Sequence, residues 1–160
     1  MEVIDNFLPN HVFEHIQRHV MSFETVWLFQ SSVAYRTDEM RLDNYMYNNM
    51  AYNKNCPRSS LFEELRPLID QLNAKSIIRI LLNSYPYTPE LLIHEDHVDF
   101  NYSHKGAILY LNTCDGYTYC EGEKVFSVAN RLLLHDPSKS HHSTTTSNAQ
   151  RRIICNVNYF

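Results

Sequence analysis

The sequence predicts an α+β fold, with helices in the first half of the chain and a β-sandwich or barrel in the second. Two observations give this prediction. Before residue 76 the apolar residues recur at helical spacing in two segments, whereas after it they form short runs rich in β-branched, leucine and aromatic residues. Turn-forming pairs such as Asp115-Gly116 and Asp136-Pro137 separate those runs. Helices followed by many short strands are typical of an α+β domain.

The length of the chain limits the number of domains. With 160 residues it can form one domain with a substantial core, but not two of ordinary size. We expect a single domain over residues 1–160, in which residues 1–75 give helical and loop support and residues 76–160 form the β core. Catalysis and substrate binding would then share one scaffold.

Two helices are predicted in the first part of the chain. Asn10 can cap the first helix. The apolar residues at helical spacing in this helix are Val12, Phe13, Ile16 and Val20. The histidines of this helix lie on other faces, and we assign them no role: His11, His15 and His19. Ser60 and Glu63 resemble a capping box for the second helix, in which Pro67 predicts a kink or a later start.

Residues 23–57 are polar, rich in tyrosine, asparagine and methionine, and show no sustained period. We expect long loops here, with short strands over residues 25–29 and 31–36. The aromatic and methionine side chains of this segment include Met40, Tyr45, Met46, Tyr47, Met50 and Tyr52. Two interpretations stay open for them, since they can pack beneath a loop or cover a substrate site.

Five runs in the second part are predicted as strands: residues 77–82, 91–93, 107–112, 132–135 and 153–159. A sandwich built from these strands would bring the end of the chain close to its middle. Residues near 97 and residues near 141 can therefore contribute to one site.

Composition and charge argue against several classes of protein. The formal net charge is −4 and lysines and arginines do not cluster, so the sequence gives no evidence for nucleic-acid binding. No apolar stretch is long enough to span a bilayer. The cysteines show no CxxC spacing, and the start of the chain lacks a signal-peptide pattern. We expect a soluble protein of the reducing cytoplasm.

The segment His97-Val98-Asp99 places an imidazole and a carboxylate two residues apart. In an extended backbone alternate residues point to the same face, so both groups can reach one metal ion. His94 and Asp96 form the same pattern three residues earlier. The pattern alone does not choose between the two pairs.

A third metal ligand must come from a distant strand. His141 and His142 are the candidates, and alternation in a strand sends them to opposite faces, so only one can bind. We favour His141 and keep His142 as the alternate. Two histidines and one carboxylate leave coordination positions open, which suits iron(II) that binds an organic co-substrate together with dioxygen.

Arg152 begins the last apolar run. It lies ten or eleven residues beyond the distal histidine, which is our name for whichever of His141 and His142 is the third ligand. A guanidinium group stays charged and presents a planar fork, so it can hold a carboxylate by paired hydrogen bonds. Arg152 therefore suits the far carboxylate of a dicarboxylic keto acid.

With these residues the chain resembles the 2-oxoglutarate/iron(II) oxygenase superfamily, specifically its short prolyl-4-hydroxylase-like branch in bacteria and phages. The resemblance covers most of the chain and rests on five segments in order: VIDNFLP, HVD, GAILYLNTCDGYT, VANRLLLHDPSKSHH and RRIICNVNYF. A single HxD would be weak evidence, whereas the ordered set is specific. The separation from His97 to Gly116 is nearer to that usual in the family, which favours HVD over the pair that begins at His94.

The resemblance implies a double-stranded β-helix, which is a distorted, cupin-like jelly roll, backed by N-terminal helices. It assigns His97, Asp99 and the distal histidine to Fe(II), and Arg152 to the side-chain carboxylate of 2-oxoglutarate. The implied reaction uses O2 to hydroxylate a C–H bond and releases succinate and CO2, with ascorbate as a candidate reactivating agent. The location would be the cytoplasm, or that of the host if a phage encodes the chain.

The same resemblance implies three finer assignments. Tyr110, together with Tyr87 or Tyr85, lies where the family supplies a phenol to the co-substrate, and Tyr87 is our choice within that pair. Residues 23–57 would include a substrate-binding lid. The favoured substrate is a side chain of a protein or peptide, and the alternative is a small molecule such as a free amino acid.

Two rival functions share part of this pattern. A zinc hydrolase also uses two histidines and an aspartate, but it has no need of Arg152 or of 2-oxoglutarate. A non-catalytic, cupin-like metal-binding module would keep the fold without turnover. Release of succinate separates the proposed oxygenase from both rivals. The sequence does not indicate an oligomeric state.

Overall fold

The computed structural model describes residues 1–34 and 44–160. Its helices are α1 (Asn10–Met21), α2 (Leu61–Glu64) and α3 (Arg66–Gln71). Its strands are β1 (Glu2–Ile4), β2 (Leu28–Gln30), β3 (Met46–Asn53), β4 (Cys56–Pro57), β5 (Ile77–Pro86), β6 (Lys105–Tyr110), β7 (Tyr117–Cys120), β8 (Glu123–Phe126), β9 (Leu132–His135), β10 (His141–Ser143) and β11 (Arg151–Tyr159). No helix in the described ranges is long and apolar enough to cross a membrane.

The strands form two sheets whose ladders are antiparallel. The larger sheet has eight strands in the order β1-β9-β6-β11-β5-β3-β2, with β4 paired to β3. The smaller sheet has three strands in the order β10-β7-β8. The last strand, β11, lies inside the larger sheet between β5 and β6, so the end of the chain does return to its middle.

The two faces of the larger sheet have different partners. On β11, Ile153, Cys155 and Val157 belong to a buried cluster that also contains the apolar residues of the three helices. Ile154 points the other way and packs with residues of the smaller sheet, including Val125. Because successive side chains of a strand alternate between faces, one strand supplies both layers. The sheet therefore has a helix layer behind it and a second sheet in front.

The first helix forms as its apolar spacing predicts. Phe13, Ile16 and Val20 are buried against the larger sheet. Asn10 is the first residue of the helix and not its cap, so that expectation was wrong. Pro9 occupies the capping position, and its carbonyl oxygen accepts hydrogen bonds from two amides of the first turn. A proline here costs nothing because the first amides of a helix lack intrahelical acceptors.

The second predicted helix is divided in two at Leu65. Pro67 lies in the first turn of α3, where its missing N–H group is tolerated. This confirms the break expected there. The expected capping box is wrong, because Ser60 makes no side-chain hydrogen bond to the helix.

Part of the segment that we expected to be loops is a strand in the larger sheet. Met46, Tyr47, Met50 and Tyr52 lie on β3, which pairs with β5. A shift of register between Met50 and Tyr52 breaks the regular alternation, and this explains why the sequence showed no strand period. The first part of the chain is thus not purely helix and loop. Met40 and the end of the strand expected over residues 31–36 lie outside the described residues.

The strand predictions of the second part agree with β5, β6, β9 and β11. Residues 91–93 do not form a strand, and only Ile93 makes an isolated bridge, to Thr144. The three strands of the smaller sheet were not predicted. They have three or four residues each, which is too short to show a period.

The contact between α1 and the larger sheet gives a stability prediction. Ile16→Ala removes a fully buried side chain and should lower the free energy of unfolding by about 2–5 kcal/mol. Leu28→Ala is the control, because Leu28 is 57% exposed and its truncation should change stability by less than about 0.5 kcal/mol. Urea unfolding of both variants measures the difference, and similar small losses would contradict the described helix packing.

Candidate metal centre

A cavity of about 270 Å³ lies between the two sheets. Residues of β5, β6 and β11 line one side of it, and residues of β7 and β10 line the other. The segment that contains His97 and Asp99 lies at its edge. The cavity is small and polar in part, as expected of a site that holds small molecules.

Three side chains at this cavity can bind one metal ion. His97, Asp99 and His141 each offer a ligand atom, and these atoms lie within 4.8 Å of one another. Backbone hydrogen bonds hold the two histidines opposite each other, since each donates its amide to the carbonyl oxygen of the other at 2.9 and 3.0 Å. Asp99 continues this pairing with a bond to the Pro137 carbonyl. The backbone thus brings together residues that are far apart in the sequence.

Hydrogen bonds also orient the two imidazole rings. Nδ1 of His97 lies 3.2 Å from the carbonyl oxygen of Glu95, and Nδ1 of His141 lies 2.9 Å from that of Lys139. Only an N–H group can donate to a carbonyl, so each ring carries its proton on Nδ1 and leaves the Nε2 lone pair free. Support of this kind is usual for histidines that ligate a metal.

The charges of the three side chains fit a divalent cation. Burial lowers the pKa of His97, and the neighbouring His141 lowers it further, so the ring is neutral at pH 7. Burial by itself would raise the pKa of Asp99, but Arg79 and His141 outweigh it and the pKa lies below its usual value. The site therefore offers two imidazoles and one carboxylate, a donor set that suits iron, copper or zinc.

The alternative ligands make other contacts. Nδ1 of His142 bonds to Oδ1 of Asp96 at 2.7 Å, and its ring stacks on Tyr119. His94 is buried, with Nδ1 2.8 Å from the Ser143 hydroxyl. Neither histidine belongs to the group of metal-binding side chains at the cavity. The geometry therefore favours HVD with His141.

A further histidine, His135, lies behind the site and was not among the predicted ligands. Its ring centre is 5.1 Å from that of His141. Burial lowers the pKa of His135 to about 4, so it packs against His141 as a neutral ring. No ligand role follows for it, because it lies outside the group that can share a metal ion.

Arg152 is fully buried between the two sheets. Its guanidinium donates hydrogen bonds to the hydroxyls of Ser127 and Thr118 at 2.8 and 2.9 Å and to the Thr144 carbonyl at 3.2 Å. These bonds use three of the five N–H groups of an arginine. No carboxylate of the described residues pairs with Arg152. Thr118 also lines the cavity, so the guanidinium lies directly behind the cavity wall.

Aromatic rings and a glycine make room for this arginine. The guanidinium carbon lies 5.3 Å from the ring centre of Tyr85 and 5.6 Å from that of Tyr110. Gly116 is in contact with the same side chain, and a Cβ atom there would come within 2.5 Å of Cδ of Arg152. Only glycine therefore fits beside the arginine. The sequence showed Gly116 as a turn residue but could not reveal this contact.

The predicted tyrosines differ in position. Tyr85 lines the cavity, and Tyr110 is buried with a pKa raised to about 12 by its burial. Tyr87 is 52% exposed and lies outside the cavity lining. Of the two alternatives upstream of HVD, the geometry therefore favours Tyr85 and not our choice, Tyr87.

A second group of side chains whose ligand atoms are close enough to share a metal ion lies on the helix layer. His15 and His19, one turn apart on α1, face Glu64 of α2, and the His15–Glu64 distance is 2.7 Å. This group is partly exposed, and a surface hydrogen bond between His15 and Glu64 explains its geometry. Metal titrations are therefore made in a Glu64→Gln background, which removes one ligand of this group so that binding at the cavity is measured.

The sequence matches no protein-family model and no curated protein sequence. Solved structures do resemble the fold. A prolyl-4-hydroxylase from Pseudomonas putida is 15% identical, with a TM-score of 0.64 over 99% of this chain and 92% of that one. A Trichoplax adhaerens prolyl hydroxylase, in complex with a hypoxia inducible factor oxygen degradation domain peptide fragment, is 17% identical, with a TM-score of 0.66 over 99% and 82%.

A viral collagen prolyl hydroxylase from Paramecium bursaria Chlorella virus-1, in its 2OG complex, is similar too. It is 10% identical, with a TM-score of 0.57 over 98% of this chain and 93% of that chain. At such identities the likeness concerns the fold. The chain thus has the fold of solved prolyl hydroxylases over nearly its whole length.

The described geometry predicts which side chains bind metal. In the Glu64→Gln background, His97→Ala, Asp99→Ala and His141→Ala should each weaken Mn(II) binding by more than the roughly 10–100-fold that loss of a supporting residue costs. His142→Ala is the control and should weaken it less. Calorimetric titration measures these affinities, and a larger loss in the control than in His141→Ala would contradict the assignment.

Proposed function

We propose that the protein is an Fe(II)- and 2-oxoglutarate-dependent dioxygenase that hydroxylates a C–H bond and releases succinate and CO2. The observation that carries this proposal is the buried guanidinium of Arg152. An unpaired buried charge costs several kcal/mol, and here no carboxylate of the described residues offsets it. Its two unused N–H groups can hold the distal carboxylate of a dicarboxylic acid.

The metal site supports the same proposal. His97, Asp99 and His141 can occupy three positions on one side of an ion, which leaves positions for a co-substrate and dioxygen. Iron loaded with 2-oxoglutarate would supply the oxidising power for attack on a C–H bond. A zinc hydrolase would use the same three ligands, but it gives no reason for a buried arginine without a counter-charge.

The residues of the chain have distinct tasks in this reaction. Arg152 binds and orients the co-substrate, and Tyr85 and Tyr110 fix the plane of its guanidinium. Apolar side chains on the larger sheet, such as Ile108 and Ile154, line the cavity and exclude water from it.

The proposed substrate is a side chain of a protein or peptide, as in prolyl hydroxylases. The likeness of the fold to a prolyl hydroxylase that binds a peptide supports this choice. A small molecule or a free amino acid is the second candidate, because related scaffolds carry different activities. We also propose the double-stranded β-helix of the prolyl-4-hydroxylase-like branch as the architecture, and the cytoplasm as the location.

Succinate release tests the proposed chemistry. The purified protein, supplied with Fe(II), 2-oxoglutarate, ascorbate and air, should form succinate, and formation should stop under nitrogen. Asp99→Ala is the inactive control. Absence of oxygen-dependent succinate from the wild-type protein, whether peptides, free amino acids or other metabolites are supplied, would contradict the proposal and favour a hydrolase or a binding module.

A peptide screen tests the proposed substrate. Peptides that carry each common side chain should include some that gain the mass of one oxygen atom when the enzyme and both co-substrates are present. If no peptide is modified while a free amino acid or another metabolite is, the peptide assignment is wrong and the oxygenase chemistry stands.

The positions of the two upstream tyrosines give a matched pair of variants. Tyr85→Phe should weaken 2-oxoglutarate binding by about three- to tenfold, as expected for loss of one hydrogen bond or of support for Arg152. Tyr87→Phe should leave it unchanged, because Tyr87 is exposed and outside the cavity lining. Anaerobic titration measures both, and the reverse order would restore Tyr87 as the contact.

A further inference from the structure

A second arginine, Arg79, lines the cavity and has no task in the proposed reaction. Its side chain projects from β5 and is 20% exposed. One terminal nitrogen lies 2.9 Å from Oδ1 of Asp99. The guanidinium carbon lies 4.9 Å from the ring centre of Phe100, so an aromatic face supports the group from one side.

The guanidinium of Arg79 makes one polar contact with the described residues, its ion pair with Asp99. Its Nε atom is buried with no partner among them. Buried N–H groups are nearly always paired in native proteins. The cavity is therefore the place from which an acceptor must come.

Two acceptors without partners lie in the same cavity. Oδ1 of Asn83, on β5, and Oδ1 of Asn156, on β11, are buried and accept no hydrogen bond within the described part of the chain. These oxygens need N–H or O–H donors. Together with Arg79 they form a polar wall that offers donors at one point and acceptors at two others.

Arg79 and Arg152 lie far apart along the larger sheet. Arg152 lies opposite Tyr85 in the register of β5 and β11, six residues along β5 from Arg79. Six residues of strand span about 20 Å, so a single carboxylate cannot contact both guanidinium groups. The carboxylate that suits Arg79 is thus distinct from the one that suits Arg152.

Metal binding would leave the positive charge of Arg79 unbalanced. The ion pair with Asp99 balances that charge in the structure described above. Once Asp99 holds a divalent cation, its negative charge is offset by that cation, and Arg79 remains as a largely buried positive charge without a counter-charge. An anionic group on the substrate would restore the balance.

We propose that Arg79 is a specificity-determining residue that binds a carboxylate of the primary substrate, with Asn83 and Asn156 accepting hydrogen bonds from N–H groups near it. A keto acid has no N–H donor, so the two asparagines favour the substrate over the co-substrate. The matching class is an amino-acid unit with a carboxylate, either an acidic residue or a C-terminal residue. This inference rests on the proposed function, because it assumes a metal at Asp99.

Binding without turnover tests this assignment. Mn(II)-loaded protein saturated with 2-oxoglutarate under nitrogen is titrated with pairs of synthetic peptides that differ only by a carboxylate or its amide. One set of pairs has Glu or Gln beside the central residue, and the other has a free or an amidated C-terminus. Wild-type protein should bind the acid of at least one set about tenfold more tightly than its amide, and the set that responds identifies the source of the carboxylate.

Variants separate substrate recognition from support of the metal. Arg79→Gln should remove the preference for the acid, whereas Arg79→Lys should keep part of it, because the charge remains without the planar fork. Arg66→Gln is the matched control, since it removes an exposed arginine from α3 and should leave the preference intact. Affinities for Mn(II) and for 2-oxoglutarate are measured on every variant without peptide.

Three outcomes would overturn the proposal. They are no acid preference in either set, a preference that survives in Arg79→Gln, and an Arg79→Gln effect confined to Mn(II) or 2-oxoglutarate affinity. The last would make Arg79 a positioning residue for Asp99 or a co-substrate contact. Failure of the proposed function gives a different result, because the wild-type protein would then not bind 2-oxoglutarate at all.

Discussion

Along β11 successive side chains point to opposite faces of the larger sheet, and both layers of the protein depend on this alternation. Ile153, Cys155 and Val157 bury their side chains against the helices. Arg152 and Ile154, between and beside them, point toward the smaller sheet. A shift of one residue in the register would turn the arginine into the helix core and the apolar residues into the cavity. The pairing of β11 on both sides holds the register.

The burial of Arg152 places a positive charge inside the fold, and no carboxylate of the described residues balances it. Two hydroxyls, a carbonyl oxygen and two aromatic rings hold the guanidinium in place, but they do not neutralise it. The close contact with Gly116 shows that the backbone itself is shaped around this side chain. A site organised in this way before a ligand arrives would lower the cost of binding. Under the proposed function, a bound carboxylate would restore the stability given up by burying the charge.

The sequence predicted the parts of the fold and site that depend on local pattern. The helical spacing of Phe13, Ile16 and Val20 and the apolar run at Leu132–His135 were sufficient to place α1 and β9. Spacing narrowed the metal ligands to two HxD pairs and two adjacent histidines, because alternation fixes which residues share a face. The resemblance then favoured HVD. The backbone pairing of His141 with His97 supports the choice of His141 over His142, and no local pattern shows this pairing.

Non-local structure explains what the sequence did not reveal. β3 is a strand because β5 offers it a partner, and its irregular register hid the period. Arg79 is a single charge within an apolar run, and no role was predicted for it. The available signal was its spacing from Asn83 and Tyr85, which places three polar side chains on one face of β5. That face could be recognised as a cavity wall only after the smaller sheet, with its very short strands, was known.

The most direct test of the central claim is an anaerobic titration with Fe(II) and 2-oxoglutarate, followed by the visible charge-transfer band of the chelate. The account predicts a band in the wild-type protein, its loss in His141→Ala, and a need for at least about tenfold more 2-oxoglutarate in Arg152→Lys, where the paired hydrogen bonds to the carboxylate are lost. Absence of the band from the wild-type protein, or an unchanged titration in Arg152→Lys, would contradict it.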